Sequence, residues 1–493
     1  MKKQLKTRVS RDPVHGEITL SPMEVLCTDT RAVQRLREIS QLGGAERVYP
    51  GATHTRFLHS LGVMHIAGMY AEHLGFPLKR MRVLRLAGLL HDIGHGPFSH
   101  QFDDVVYKRA GIKGGHDEQR ERILLELMPG ELIKIYEENL KTDWQENIIS
   151  ELKQVLGEEF VESNPLEVSF TGVMKLVCEL FEGEKTGDAD FNIVQGPLGA
   201  DRTDFVLRDA YYCGTPEYGT IDLQRIVRSS RIVVRDDRER LTYGSKIIDG
   251  IYRVLFGRFM MYKNVYFHKT ARAADLMLQR VLDLSYEALD MEERVADPER
   301  FLEMTEDWVY YTLKYMIEYG RDTEESGKIR EAFELLNDYR ERHLWKSVME
   351  HSFSVTGMDP TKIAASVGED TITGIVQQLK RLIESGAISD NDLEVMREII
   401  KAPYRFFKVD TPYKLTLAHP AEFLVNEVYL RNTRNPEDLI DFETFLKKNP
   451  FYQSVSGQLV QIVRIYMTKD KRDLLKKYRL QDMKNDIEIT TRW

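Results

Sequence analysis

Ala87-Gly88-Leu89-Leu90-His91-Asp92-Ile93-Gly94-His95-Gly96-Pro97-Phe98-Ser99-His100 is the stretch whose reading decides the fold. It closes a segment from Leu78 to Ile93 that becomes apolar nearly all round, the pattern of a helix at the centre of a core. Gly94-His95-Gly96-Pro97 then stops the helix and turns the chain. Upstream, Arg56-Phe57-Leu58-His59 opens a second helical segment running to Leu74; downstream comes Gly115-His116-Asp117-Glu118. Eight of the 13 histidines fall between His54 and His116. Packing does not explain that density. Neutral imidazole binds borderline divalent metals and also titrates near neutrality, so the cluster points to metal and proton-transfer chemistry.

With 493 residues the chain is too long for one simple core, and two or three domains are expected. A net charge of -9 and a pI near 5.9 argue against a dedicated nucleic-acid binder. Cys27, Cys178 and Cys213 are odd in number and widely spaced, which suggests neither a disulfide framework nor a thiolate zinc site and fits a reducing cytoplasm. No apolar run approaches the roughly 20 residues that span a bilayer. Met1-Lys2-Lys3 is basic without an apolar stretch behind it, so it reads as a solvated tail rather than a secretory signal.

The fold class expected is mainly α: a helical core with small hairpins over residues 1–321, then a smaller mixed α+β C-terminal lobe over 322–493. Arg8 to Pro22 reads as a hairpin or loop, Thr30 to Leu42 as a helix ended by Gly43-Gly44, and Glu118 to Phe160 and Leu166 to Glu182 as helical. Ile232 to Tyr243 is the best hairpin candidate, and long helices follow from Lys246 to about Glu318. Asp322 to Glu325, running into Ser326-Gly327, reads as a connection. Beyond it, helices are expected over Ile372 to Ser385 and Asp390 to Lys401, and strands over Phe406 to Leu417 and Val460 to Met467.

Adjacent residues on a helix point about 100 degrees apart, so His91 and Asp92 can both reach one ion at the helix edge but cannot complete its coordination. His59, one turn into its own helix, is the natural next ligand. A carboxylate should join them to lower the cost of burying a divalent charge, and Asp201 and Asp204 are the candidates. Two imidazoles and two carboxylates suit manganese, iron, nickel, magnesium or zinc without choosing among them. His65 and His73 match no ligand role and read as structural.

At this point the chain resembles a known family, the HD-domain phosphohydrolases, and most closely the deoxynucleoside triphosphate triphosphohydrolases typified by the sterile-alpha-motif and HD-domain protein. The likeness runs from about Arg8 to Lys269 and rests on Gln41-Leu42-Gly43-Gly44, on Pro50 through Val63, and on the stretch quoted first. It begins almost at Met1, so no sterile-alpha-motif domain is expected ahead of it. By position the resemblance implies one divalent metal held by His59, His91, Asp92 and Asp201, with further magnesium accompanying nucleotide phosphates. It implies catalytic roles for His95, His100 and His116, with an acidic partner at Asp117, where the family carries glutamate. Gln41 and Asp209 would bond the sugar 3'-hydroxyl, Leu42 would crowd the 2' position, and Phe205 stands where a tyrosine is common. Arg56, His95, Arg202 and Arg258 would hold phosphates, and Tyr266 and His268 would approach sugar and base.

The resemblance also implies a homotetramer activated by GTP or dGTP bound between subunits, at positions matching Arg8, Val9, Asp29, Gln34 and Arg37 with Arg225, Lys246 and Lys269. Gly244 replaces a basic residue often found there. The reaction implied is conversion of a dNTP to deoxynucleoside and inorganic triphosphate, with His100 or His116 protonating the leaving 5'-oxygen. Two other readings stay open: a nucleotide monophosphatase or phosphodiesterase on the same core, and a nucleotide-binding regulator without turnover.

Overall fold

The computed structural model describes residues 7–139, 142–235, 237–321, 324–355, 360–386, 388–412, 428–432, 438–449 and 459–480. The chain is mostly helical, with small sheets. Strands β1 (Arg8–Asp12) and β2 (Gly16–Leu20) form the antiparallel hairpin expected at the start, closed by a turn in which Asp12 accepts the backbone N–H groups of Val14 and His15. The segment expected as a helix from Thr30 to Leu42 is shorter. It is α-helical from Arg31 to Gln34, tightens to a 3-10 turn to Glu38, and becomes extended at Ile39. Tertiary pairing takes its end: Ser40 bridges Thr55, and Gln41 donates its N–H to the His54 carbonyl.

Helices α1 (Arg56–His73) and α2 (Leu78–Leu90) lie at the centre of the molecule. Val63, Met64, Ile66, Ala67 and Tyr70 on α1 and Leu84, Ala87, Leu89 and Leu90 on α2 are fully buried, as the apolar run predicted. Each large apolar side chain so removed from water contributes roughly 1.5–3 kcal/mol before chain entropy is counted. The second helix stops at Leu90, leaving His91 as its C-cap and His91-Asp92 on the turn beyond.

Helix α3 (Leu166–Glu182) covers α2, and α4 (Ala200–Tyr212) packs on α1. The α1–α4 contact depends on Gly62, because a Cβ there would lie 1.9 Å from Asp204 Oδ1. Between α2 and α3 the single expected helical stretch is several short helices, interrupted where Gly157 takes φ +99°.

Strands β3 (Ser230–Arg235) and β4 (Arg238–Gly244) form the second predicted hairpin and lead into helices α5 (Ile248–Met261), α6 (Lys269–Ser285), α7 (Glu306–Tyr319) and α8 (Ser326–Arg340). Ser326-Gly327 therefore opens a helix rather than only ending a connection, and residues 322–323 lie outside the described set.

Strand β5 (Lys346–Val355), helices α9 (Pro360–Glu384) and α10 (Asp390–Lys401), and strands β6 (Lys408–Asp410), β7 (Tyr429–Arg431), β8 (Leu439–Asp441) and β9 (Leu459–Met467) complete the described chain. The strand expected over Phe406 to Leu417 is a helical turn through Phe406 followed by β6, and its residues 413–417 lie outside the described set, as do Met1 to Lys6. One sheet has the order β5-β9-β6; the other, β3-β4-β7-β8, joins β4 to β7 in parallel, Thr242 opposite Tyr429. Among the described residues no helix is long and apolar enough to cross a membrane.

Candidate active site

Four side chains from α1, the turn after α2 and the start of α4 meet at one point. His59 Nε2 lies 3.1 Å from Asp201 Oδ1 and 3.9 Å from Asp92 Oδ2; His91 Nε2 lies 3.2 Å from Asp92 Oδ1 and 3.8 Å from Asp201 Oδ1. All but Asp201 are nearly inaccessible. His91 donates Nδ1–H to the Gly88 carbonyl at 2.8 Å, which leaves Nε2 a lone-pair acceptor, buried and with no hydrogen-bond partner. A bare acceptor facing two carboxylates and a second imidazole is a donor set that fits a divalent cation. Burial opposes protonation of His59, yet the bonds to Asp201 and Asp204 raise its pKa to about 10. A cation must therefore displace that proton, and affinity should fall with falling pH.

The two carboxylate candidates on α4 divide the work. Asp201 faces His59 Nε2, whereas Asp204 accepts from His59 Nδ1 at 2.8 Å on the far side of the ring. Asp204 is itself gripped by His15 (2.5 Å) and Arg208 (2.8 Å), and Arg208 also reaches Asp12 in the first hairpin. Burial would raise the Asp204 pKa; Arg208, His15 and His59 overcome this and hold it well below the carboxylate range. Partners of this kind fix ring orientation and ligand basicity. Asp204→Ala is expected to weaken manganese binding about 10- to 100-fold, read by titration calorimetry against the unaltered protein.

Arg56 is buried and spent on the site's frame. It donates Nη1–H to Asp92 (2.6 Å) and Nε–H to Ser99 Oγ (2.7 Å), leaving Nη2 buried without a partner. Burial pushes the Asp92 carboxyl up, but the Arg56 guanidinium, His91 and His95 hold it well below its usual range. The sequence placed Arg56 on phosphate; the structure places it first on Asp92.

The remaining imidazoles gather around a carboxylate that sequence reasoning missed. Asp103 Oδ2 lies 3.0 Å from His116 Nδ1, 3.2 Å from His100 Nδ1 and 3.5 Å from His95 Nδ1. The His95 and His116 rings stack with centroids 3.7 Å apart. His116 comes this close because Gly94 has no side chain: a Cβ there would lie 1.9 Å from the His116 carbonyl oxygen. Asp117, expected as the acidic partner, instead pairs with Arg120 and stands 3.9 Å from His116 Nε2, while Glu118 accepts the Gly114 N–H. The only signal for Asp103 was its place one helical turn after His100.

Beyond the histidines, a cavity of about 220 Å³ is lined by Gln41, Leu42, His100, Phe205, Asp209 and Tyr266, among others. Gln41 Oε1 is buried there with no partner, an acceptor suited to a ligand hydroxyl. Asp209 is held on both oxygens, by His54 at 2.7 Å and by the Tyr266 hydroxyl at 2.5 Å. His54 was not singled out for this, although it lies within the histidine-rich stretch. His268 does not line the cavity; its Nδ1 caps α6 by accepting the Thr270 N–H, and its ring meets Tyr49 edge-on. Arg202 follows Asp201 on α4, and the Arg258 guanidinium sits 5.1 Å from the Tyr262 ring centre.

The residues matched to an effector site fall into small groups. Arg8 faces Asp29 at 3.7 Å, and Val9 beside it is exposed. Gln34 bonds Arg37, which also covers the Phe57 ring, and Arg225 approaches the Lys246 carbonyl at 3.5 Å. Lys269 opens α6 and accepts the Tyr466 hydroxyl on its carbonyl.

The chain matches the HD domain over residues 56–167 and the HD associated region over residues 221–375. A solved phosphohydrolase from Bacteroides thetaiotaomicron VPI-5482 has the same fold, with a TM-score of 0.62 at 21% identity, over 94% of this chain and 100% of that one. The chain therefore carries an HD domain followed by an HD associated region, which marks it as a phosphohydrolase enzyme. It is homologous to the deoxynucleoside triphosphate triphosphohydrolases called SAMHD1. It is 26% identical to the SAMHD1 homolog of Dictyostelium discoideum, over 76% of this chain and 68% of that protein. It is 28% identical to human SAMHD1, over 70% of this chain and 55% of that protein. An uncharacterized protein of Methanocaldococcus jannaschii is 34% identical over 56% of this chain and 49% of its own length. The chain thus spans between about half and two thirds of these relatives.

Proposed function

We propose that this protein is a metal-dependent dNTP triphosphohydrolase. The observation that carries the reading is one continuous site: a metal-type group of His59, His91 and Asp201 with Asp92 against both imidazoles, then a histidine cluster on Asp103, then a cavity with an unpaired Gln41 oxygen. The names of the SAMHD1 relatives support the substrate class.

His59, His91, Asp92 and Asp201 would hold a divalent ion, which would supply Lewis-acid polarisation of the substrate phosphate. Arg56 keeps Asp92 ionised and aimed. Burial and the neighbouring Arg56 push the His95 pKa well down, so it is a neutral ring packed on His116. His116 is the reverse: burial opposes protonation, but Asp103 outweighs it and raises the pKa. It is therefore the protonated group of the pair and hands its proton to the leaving 5'-oxygen as that oxygen's bond to the α-phosphorus breaks and a water oxygen bonds to the phosphorus, the water's proton passing to solvent; His100 stands on the same carboxylate. Leu42 crowds the ribose 2' position, Gln41 takes the 3'-hydroxyl, and the Phe205 and Tyr266 rings flank the sugar. Arg202 and Arg258 bind the phosphates. A nucleotide effector at Arg8, Asp29, Gln34 and Arg37, within a homo-oligomer, is part of the same reading.

Product analysis tests it. Purified protein with manganese and each dNTP should release deoxynucleoside and inorganic triphosphate in equal amounts, faster with dGTP than with GTP, and faster again when an effector nucleotide is added. Release of single phosphate or pyrophosphate would overturn the reading.

A further inference from the structure

We propose that Glu306, at the first turn of α7, is the positioning residue that holds the two walls of the active site in register with each other. The proposal rests on reading this site as the hydrolytic one. A single carboxylate oxygen, Glu306 Oε1, accepts three hydrogen bonds: from the Ser40 N–H at 2.9 Å, the Ser40 hydroxyl at 2.5 Å and the Phe98 N–H at 3.2 Å. These donors come from segments 58 residues apart in sequence, as far as chain numbering from 40 to 98 goes. Ser40 precedes Gln41 and Leu42, the sugar-side wall. Phe98 precedes Ser99 and His100, the histidine-side wall.

The clamp continues inward. The Ser99 hydroxyl donates to the Ser40 carbonyl at 2.5 Å and accepts from Arg56 Nε, and the other arm of Arg56 holds Asp92. One chain of bonds therefore runs from α7 through both walls to a metal-type ligand. It also secures a conformation the sequence would not adopt alone. Phe98 and Ser99 have φ of 62° and 57°, the left-handed region that residues with side chains rarely occupy, and two in succession persist only where surrounding bonds over-determine them. Glu306 supplies the bond to the first and Arg56 the bond to the second.

A carboxylate suits the position. Three donors converge on one oxygen, and bonds to an ionised acceptor are roughly twice as strong as neutral ones. The start of a helix also favours the negative charge, and Thr305 fixes that start by accepting the Trp308 N–H. Burial outweighs the Ser40 and Phe98 donors, so the Glu306 pKa is raised. Glu306 lies outside the matched HD domain and inside the HD associated region, which gives that region a mechanical role toward the histidine core.

The test compares the full chain with Glu306→Ala and Glu306→Gln, by hydrogen exchange and by manganese-supported dGTP hydrolysis. Glu306→Ala should speed amide exchange about tenfold or more in peptides holding Ser40 and Phe98, and not elsewhere. Its kcat/KM should fall roughly 10- to 100-fold, the scale of a sub-ångström to 1 Å misplacement, with KM rising as well as kcat falling. Glu306→Gln, which keeps an acceptor in place, should recover most of both. Unchanged exchange with unchanged kcat and KM would overturn the proposal. So would exchange quickened throughout the chain with KM constant, the mark of a merely structural role. Exchange reads the clamp without turnover, so a wild-type protein that releases no triphosphate would defeat the functional reading and leave this one decided separately.

Discussion

Asp92→Ala is expected to reduce dNTP turnover by roughly 10³- to 10⁴-fold, because loss of the cation forfeits several kcal/mol of transition-state charge stabilisation. The carboxylate faces both imidazoles of the centre and its guanidinium. It lies 3.2 Å from His91 Nε2 and 3.9 Å from His59 Nε2, and it accepts from Arg56 at 2.6 Å. Truncation also leaves the buried Arg56 guanidinium short of its counter-charge, which by itself destabilises a fold by about 3–5 kcal/mol. Two companions separate these effects. Asp92→Asn keeps an acceptor for Arg56 while weakening the cation site, and His91→Ala removes a ligand without stranding a buried charge, though it gives up the packing of a buried ring and its bond to the Gly88 carbonyl. All three should lose bound metal by elemental analysis. Asp92→Asn should keep a melting temperature near that of the parent. Full turnover by any of them, in protein whose metal content has been measured, would remove the centre from the reaction.

The contrast between Asp201 and Asp204 shows what the sequence could and could not reveal. Both stand on one face of α4, three residues apart, so spacing alone left either as a ligand. The choice depends on which edge of the His59 ring each reaches, Nε2 for Asp201 and Nδ1 for Asp204, and that is set by how α4 lies across Gly62. His59, His91 and Asp92 were legible because their helices are local patterns. His15 and Asp12 were not, because each serves a partner distant in sequence: His15 meets Asp204 across 189 residues and Asp12 meets Arg208 across 196. Asp103 lies within 13 residues of its histidines, but the turns that fold them back onto it carry no periodic pattern. The fold divides the same way. The helices from Arg56, Leu166 and Asp390 follow local apolar patterns. The parallel pairing of β4 with the three-residue strand β7 carries no periodic signal, and the end of the Thr30 helix yields to the pairing of Ser40 with Thr55.

Asp103→Asn is the second large effect, an expected loss of about 10²- to 10³-fold in kcat, the range for impairing one general acid. Burial pushes the Asp103 carboxyl up, but His95, His100 and His116 hold it far below the usual range, so it is a fixed anion wherever the enzyme works. That anion, at 3.0 Å, is what raises the His116 pKa against its burial. The sign follows. An acid must carry its proton, so activity declines as pH rises through the raised pKa, and the parent's alkaline limb should lie above the ordinary histidine value near 6.5. With asparagine in place the Asp103 anion is gone, only the weaker pull of Asp117 and Asp92 still opposes burial, and the limb should move to lower pH. Stability shifts in the same direction: the paired imidazolium contributes fully below about pH 6.5 and is lost as pH rises through the raised folded value. The amide keeps the volume of the carboxylate, so manganese affinity at His59, His91, Asp92 and Asp201 should stay within about threefold of the parent. A kcat profile whose alkaline limb does not move would show that His116 is not the proton donor, whatever the fall in rate. A limb displaced toward acid with metal binding intact would assign the proton to the imidazoles on Asp103 and leave the cation centre a separate part of the machinery.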